Sequence, residues 1–308
     1  MPKTLPGGLG DSIPLGVFVT SDLAQCFRAI RLASAFLALA VSVTTLWPGL
    51  AVAEEPEFFD RPYAPGQWTV GRRLDESQLR YCVDRRDPDW EVAAAIADAI
   101  AIALLLEPQR HVVESEIVLE DITKVYGILL EHCDFHMGFK LVPGGYSNWA
   151  TLTRAYYDAQ YIFVTTDLDI RALADLQPAR PIGATLGTSA HLQLVSYLTA
   201  LPAKDRWPTY PMGTNELALQ SLLDGTVDVA LVWSPHLWAR QQENPTYLEI
   251  RVIDSNPLPT TNLGVGALLL ANETFLRTAL DEAIAALRED GTIDKILQKH
   301  GFPATANP

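Results

Sequence analysis

Three groups of residues have types and spacing that could do chemistry. Asp84, Asp87 and Asp89 form an acidic cluster just after an apolar run. Carboxylates so placed could hold a cation, but the spacing lacks the central glycine and closing glutamate of a calcium loop, so a solvated acidic loop is the simpler expectation. Thr188 and Ser189 follow Gly187 at the start of a predicted helix. Their hydroxyls and the free backbone N–H groups of a helix start could bind an anion, and the same residues serve a plain N-cap equally well. Trp233 ends the apolar run of GTVDVALVWSP, residues 225–235, where a strand would deliver its indole to a strand terminus. Trp90, Trp149, Tyr156 and Tyr157 lie at loops or element ends and could join it, Lys140 and Arg154 could add positive charge, and packing roles for the tyrosines and Trp149 stand beside that reading. Nothing forms a Ser/His/Asp or paired-carboxylate arrangement, and His136 falls mid-strand, where a satisfied core histidine is expected rather than a base.

The charge balance narrows the partners. The chain carries 23 Lys and Arg against 37 Asp and Glu, a net charge of −14, with no basic cluster to neutralise phosphates, so nucleic acid is not an expected partner. Such a surface disfavours anionic lipid and would suit a basic protein such as a small c-type cytochrome. Arg28 and Arg31 precede an apolar run over residues 32–46, Pro48-Gly49 ends it, and Ala51-Val52-Ala53 supplies small residues at the positions a signal peptidase reads. That pattern predicts export with cleavage after Ala53, since the run is shorter than the ~20 residues that span a bilayer. Of the three cysteines, Cys26 would leave with the leader. An oxidising compartment would permit Cys82 and Cys133 to pair, but they are assigned to two strands that, if parallel and in register, would hold them beyond the ~4.4–6.8 Å Cα separation of a disulfide, so free thiols are the expectation with a disulfide as the alternative. No metal-ligand spacing surrounds them, and no cofactor is expected.

These residues need strands and helices to position them, and the hydrophobic pattern alternates accordingly. Strands are predicted at residues 79–84, 111–113, 133–139, 161–166, 181–186, 227–233, 248–253 and 265–270. Helices are predicted at 90–106, 120–131, 189–197, 216–223, 274–289 and 293–299, the last two separated by Gly291-Thr292. Strand-helix-strand order with crossovers of this length implies parallel sheets wound right-handedly, an α/β fold.

LRYCVD, CDFHMGF, LTRAYYDAQYIFVTT and ALREDGTIDKILQKHGF, in that order and spacing, resemble four segments of the bacterial extracellular solute-binding proteins of family 3, over about residues 79–302. The resemblance implies a two-lobed type II periplasmic binding fold, each lobe a mostly parallel sheet flanked by helices, joined by two hinge crossings near residues 164–168 and 253–256. It divides the chain into a leader (1–53), the first lobe (54–166), the second lobe (167–253) and a return to the first (254–308). Ligands in such folds lie in the cleft outside the strand ends. Amino-acid-binding members usually carry an Arg seven residues after the glycine closing the third strand and an Asp five residues after the Asp opening the second-lobe strand. Counting from Gly138 gives Gly145, and counting from Asp228 gives Trp233. Each lost charge-assisted contact forfeits ~1.5–3 kcal/mol, so a free amino acid is a poor ligand here. The ligand-facing set implied is Asp84, Trp90, Gly138, Tyr157, Thr188, Ser189 and Trp233.

VDVALVWSP and LTRAYY are similar more narrowly to the J-type periplasmic proteins associated with PQQ-dependent methanol dehydrogenases, although Ser234 and Ala155 stand where those often have Gly and Pro. The turn between first strand and first helix is also short, RRDPDW. The resemblance therefore implies a monomeric, non-catalytic periplasmic protein. One expectation is a receptor passing a small neutral, aromatic or anionic solute to an ABC permease; the alternative is an accessory that docks on a quinoprotein dehydrogenase or its cytochrome. An enzyme on the same scaffold, such as a dehydratase, is the least expected.

Overall fold

The computed structural model describes residues 77–114 and 122–306; the leader and its cleavage site lie outside the described residues. Among the described residues ten strands form one curled, mixed sheet in the order β2-β1-β3-β10-β5-β8-β6-β7, with β4 on β10 and β9 on β5. The first half begins with β1 (Gln78–Asp84), which pairs in parallel with β2 (Glu107–Val113) and β3 (Phe135–Lys140). Helix α1 (Trp90–Ala103) connects β1 to β2 and α2 (Ile122–Glu131) connects β2 to β3. In the second half β6 (Ile182–Thr185) is parallel to β7 (Thr209–Met212) and β8 (Val229–Trp233), with α3 (Ser189–Ala200) and α4 (Asn215–Leu223) as the crossovers. This is the α/β architecture that the sequence predicts and the two-lobed form that the resemblance implies, here with antiparallel strands at its centre.

Those central strands are β5 (Tyr157–Thr165) and β10 (Thr261–Leu270), antiparallel from Tyr161↔Thr261 to Tyr157↔Val265. The far half of β5 pairs with β8 (Tyr161↔Trp233 to Val164↔Ala230) and with β9 (Arg251–Ile253), where Phe163 faces Ile253 and Val164 faces Val252, inside the second half of the sheet. The far half of β10 pairs with β3 and with β4 (Ala150–Leu152). Two continuous strands thus tie both halves together, and one buried cluster runs from Leu79 and Phe135 through Tyr157 and Tyr161 to Leu231 and Trp233.

Local chemistry explains the elements. Helix α1 is Ala- and Ile-rich and buries Val92, Ala93, Ile96, Ala97, Ile100 and Ala101 against the sheet, because a crossover helix on a parallel sheet has little surface left for water. Strand β8 is buried at all five positions for the same reason. Helices α6 (Thr274–Glu289) and α7 (Thr292–His300) pack on α1, and Gly291 between them takes φ +73°, a left-handed conformation that ends one helix and starts the next. Three short elements escape the sequence reading: β4, the Pro211-bearing edge strand β7 and helix α5 (Ser234–Glu243). Proline is tolerated on an edge strand and at a helix start, so Pro235 immediately after Ser234 was the available signal for α5.

The cysteine expectation is overturned. Cys82 and Cys133 form a disulfide with a Cα separation of 5.6 Å, and both are fully buried. β3 begins only at Phe135, with Phe135 opposite Tyr81. Cys133 therefore belongs to the turn leaving α2, which descends onto the face of β1 among Val125, Leu129 and Leu268 rather than continuing the ladder.

Candidate functional site

Where β3, β5 and β8 come together, the amine of Lys140 lies against two aromatic rings. Lys140 is the last residue of β3, Tyr161 lies at the middle of β5, and Trp233 ends β8. Tyr161 and Trp233 are ladder partners, so the backbone holds their rings together at 4.9 Å between centroids with an interplanar angle of 56°. The Lys140 ammonium is 4.6 Å from the centre of the Trp233 ring and 5.5 Å from that of Tyr161, and Nζ donates to the Tyr161 hydroxyl at 3.4 Å. A cation over ring faces at these distances is attracted by the ring quadrupoles. Among the described residues no carboxylate forms an ion pair with Lys140, and burial pulls its amine below the ordinary lysine range, against the opposing charges of Asp87 and Asp89. Burial pushes the Tyr161 hydroxyl up to about 12, so it stays protonated at neutral pH.

Helix starts of the second half reach the same region. Thr188 caps α3, its Oγ1 accepting from His191 N at 3.1 Å and donating to Thr185 O at 2.9 Å, and it lies beside the Tyr161 hydroxyl, whose rise it opposes. Thr188 thus performs the plain capping role, while the buried Ser189 Oγ beside it has no hydrogen-bond partner. Ser234, first residue of α5 and only 4% exposed, likewise has an unpartnered hydroxyl. Asn215 at the start of α4 accepts from Trp233 N at 3.0 Å and Thr185 Oγ1 at 3.0 Å, fixing the end of β8. His236 on α5 is held down to about 4, first by burial and then by Arg240; Glu216 opposes that effect, and Lys140 adds a smaller push in the same direction as Arg240.

The acidic loop is not solvated, which corrects the sequence expectation. Asp84 is 2% exposed and takes a forked contact from Arg86, Nη2 to Oδ2 at 2.7 Å and Nε to Oδ1 at 3.0 Å. Asp89 is 5% exposed and accepts from the Tyr157 hydroxyl at 2.5 Å. Asp87 lies over Gly138, whose φ of +94° and missing side chain make room for it: a Cβ there would come 2.7 Å from Asp87 Oδ2. Gly138 N donates to the Tyr156 hydroxyl at 3.0 Å. Burial raises both Asp87 and Asp89 above the usual carboxylate range, the neighbouring Asp89 charge adding to the effect on Asp87. The loop folds inward because RRDPDW is too short to swing away from the sheet, so its carboxylates are packed and need partners.

Of the residues singled out from sequence, Trp233 lies against the lysine amine, and Thr188 joins it through Tyr161. Tyr157 is wholly engaged by Asp89 and Phe302, Asp84 by Arg86, and Gly138 by Asp87 and Tyr156. Trp90 packs on the core as the first residue of α1, with the Arg85 guanidinium 5.9 Å above its ring. Trp149 is buried edge-on to Tyr126, and His136 is 1% exposed with Nδ1 on the Met137 carbonyl and Nε2 unpartnered. Tyr161 and Ser234 were not anticipated; a tyrosine in an apolar strand carries no sign of which neighbour it will face.

No family model matches the sequence, and no curated protein matches it significantly. Solved structures do match in shape. Substrate-binding domain 2 of Lactococcus lactis GlnP, in an open conformation, superposes with a TM-score of 0.52 at 17% identity, over 75% of this chain and 98% of that one. A histidine kinase sensor domain with similarity to periplasmic binding proteins gives 0.52 at 15% identity, over 76% and 100%. The ancestral amino-acid-binding protein AncCDT-1, a precursor of cyclohexadienyl dehydratase, gives 0.51 at 20% identity, over 72% and 95%. The fold is that of the two-lobed periplasmic binding proteins. The Lys140, Tyr161 and Trp233 cluster lies at the centre of the sheet, with Lys140 from β3 on one side, Trp233 from β8 on the other and Tyr161 on β5 between them.

Proposed function

We propose that this protein is a non-catalytic periplasmic solute receptor, exported with its leader cut after Ala53. Its cleft takes a small anionic or neutral solute with an aromatic or apolar body and presents it to an ABC permease. One observation carries this reading: the Lys140 ammonium is held on the faces of Tyr161 and Trp233 with no carboxylate paired to it among the described residues. An ammonium has three donors and the Tyr161 hydroxyl takes one. The remaining donors, with the unpartnered hydroxyls of Ser189 and Ser234, suit an acceptor group such as a carboxylate. In this proposal Trp233, Thr188 and Ser189 face the solute, while Asp84, Gly138, Tyr157 and Trp90 hold the first-lobe wall behind it. The lobes are assigned to residues 54–166 with 254–308, and 167–253. Among the described residues no helix is long and apolar enough to cross a membrane.

The test is thermal unfolding of the purified protein against aromatic and aliphatic carboxylates, alcohols and amino acids. A solute at 100 times its dissociation constant adds ~2.7 kcal/mol to native stability. Aromatic or aliphatic carboxylates should raise the midpoint saturably, and Trp233→Ala should remove the rise.

A second reading is favoured by the seam itself. Trp238 of α5 packs edge-on against Phe302 at 5.0 Å, and Lys140 covers Trp233, so two of the chain's own contacts occupy the seam. In this reading the protein is an accessory that docks on a quinoprotein dehydrogenase or its cytochrome. No shift across the whole panel, together with capture of a purified dehydrogenase of this class, would replace the first proposal with it.

A further inference from the structure

Lys140 does more than offer donors. Tyr161 and Trp233 are ladder partners on β5 and β8 and both are buried, so backbone register and core packing place the two rings side by side. Two ring faces, each under the ammonium at 4.6 and 5.5 Å, and a phenolic oxygen able to accept make a cradle for an alkylammonium group. The lysine side chain is itself a four-carbon alkylammonium, delivered from β3 of the opposite lobe.

We infer that Lys140 is a specificity-determining residue: its ammonium occupies, from within the chain, a site built for an amine, and so excludes amine-bearing solutes from the cleft. A tethered group competes at an effective concentration in the millimolar range or above, which a dilute free amine cannot match. The same contact fastens the first lobe to the second, because Lys140 and Trp233 come from opposite sides of the cleft. The inference shares its site with the proposed function but not its ligand, since it concerns which solutes are kept out.

The experiment uses n-butylammonium as a free copy of the lysine side-chain end. Unfolding midpoints of the native protein, Lys140→Ala and Lys140→Ser are compared in n-butylammonium chloride, sodium butyrate, 1-butanol and sodium chloride. Saturating n-butylammonium should raise both variants by about 2–4 °C and leave the native protein unmoved. Butanol and sodium chloride should raise neither, and adding Trp233→Leu to Lys140→Ala should remove the response. If Lys140→Ala does not fold alone, recovery of refolding yield in n-butylammonium but not in butanol supports the inference. Absence of any amine response in both variants overturns it, as does an equal response to butanol, which would mean filling of an apolar hole. A native protein that answers the carboxylate panel while the variants ignore the amine keeps the solute reading and discards this one; the reverse pattern does the opposite.

Discussion

Lys140 shows how one residue's meaning changes with its surroundings. In sequence it is a cation after an apolar strand; in the fold it is a desolvated amine on two aromatic faces. The nearby His236 gives this site a pH signature. Its folded-state value of about 4 lies below the ordinary 6.5, so the unfolded chain binds the proton more readily. Its neutral form in the folded state is therefore compatible with full stability above about pH 6.5, and stability is lost as pH falls from there toward 4. His236→Gln should flatten that limb, sparing ~1–3 kcal/mol at pH 4 relative to the native protein, as measured by urea midpoints across pH 4 to 7.5. An unchanged slope would show that His236 is solvated.

Elements decide what those residues can reach. The short turn after β1 packs Asp87 over Gly138 and Asp89 against Tyr157, and the exit turn of α2 brings Cys133 onto Cys82. That disulfide spans 51 residues of sequence and anchors α2 to the sheet. Cys82→Ala with Cys133→Ala should cost ~2–5 kcal/mol of stability, and the native protein should lose a similar amount when unfolded in reductant. Denaturation with and without reductant checks both, and identical curves would mean free thiols in solution. The strands and long helices around these features were legible from apolar runs and glycine breaks. Helix α5 and strand β4 were not, because a ten-residue polar helix and a three-residue strand lack a periodic signal long enough to stand out.

At the scale of the whole molecule, β5 and β10 make the two lobes one sheet, and the seam beside them is closed by Lys140 on Trp233 and Trp238 on Phe302. Such contacts bias a hinge toward the closed arrangement without a solute. Trp238→Ala combined with Lys140→Met removes both, so the radius of gyration should rise. Small-angle scattering of native and variant protein reads this directly; no change would mean that the strands alone hold the lobes.

The sequence by itself determined the alternation of strands and helices, the α/β class and the acidic balance that argues against nucleic acid, because apolar periodicity, breaker residues and charge are local properties; the two lobes followed only from the resemblance of four segments to a known family. It also delivered Trp233 to the end of its strand. Tertiary structure decided the rest: that Cys133 meets Cys82, that the aspartates are buried, and that Lys140 crosses from one lobe to the rings of the other. Those outcomes depend on register and on the descent of a turn onto a sheet face, which no single segment encodes, since a side chain's partner is set by the strand beside it and not by the strand it belongs to.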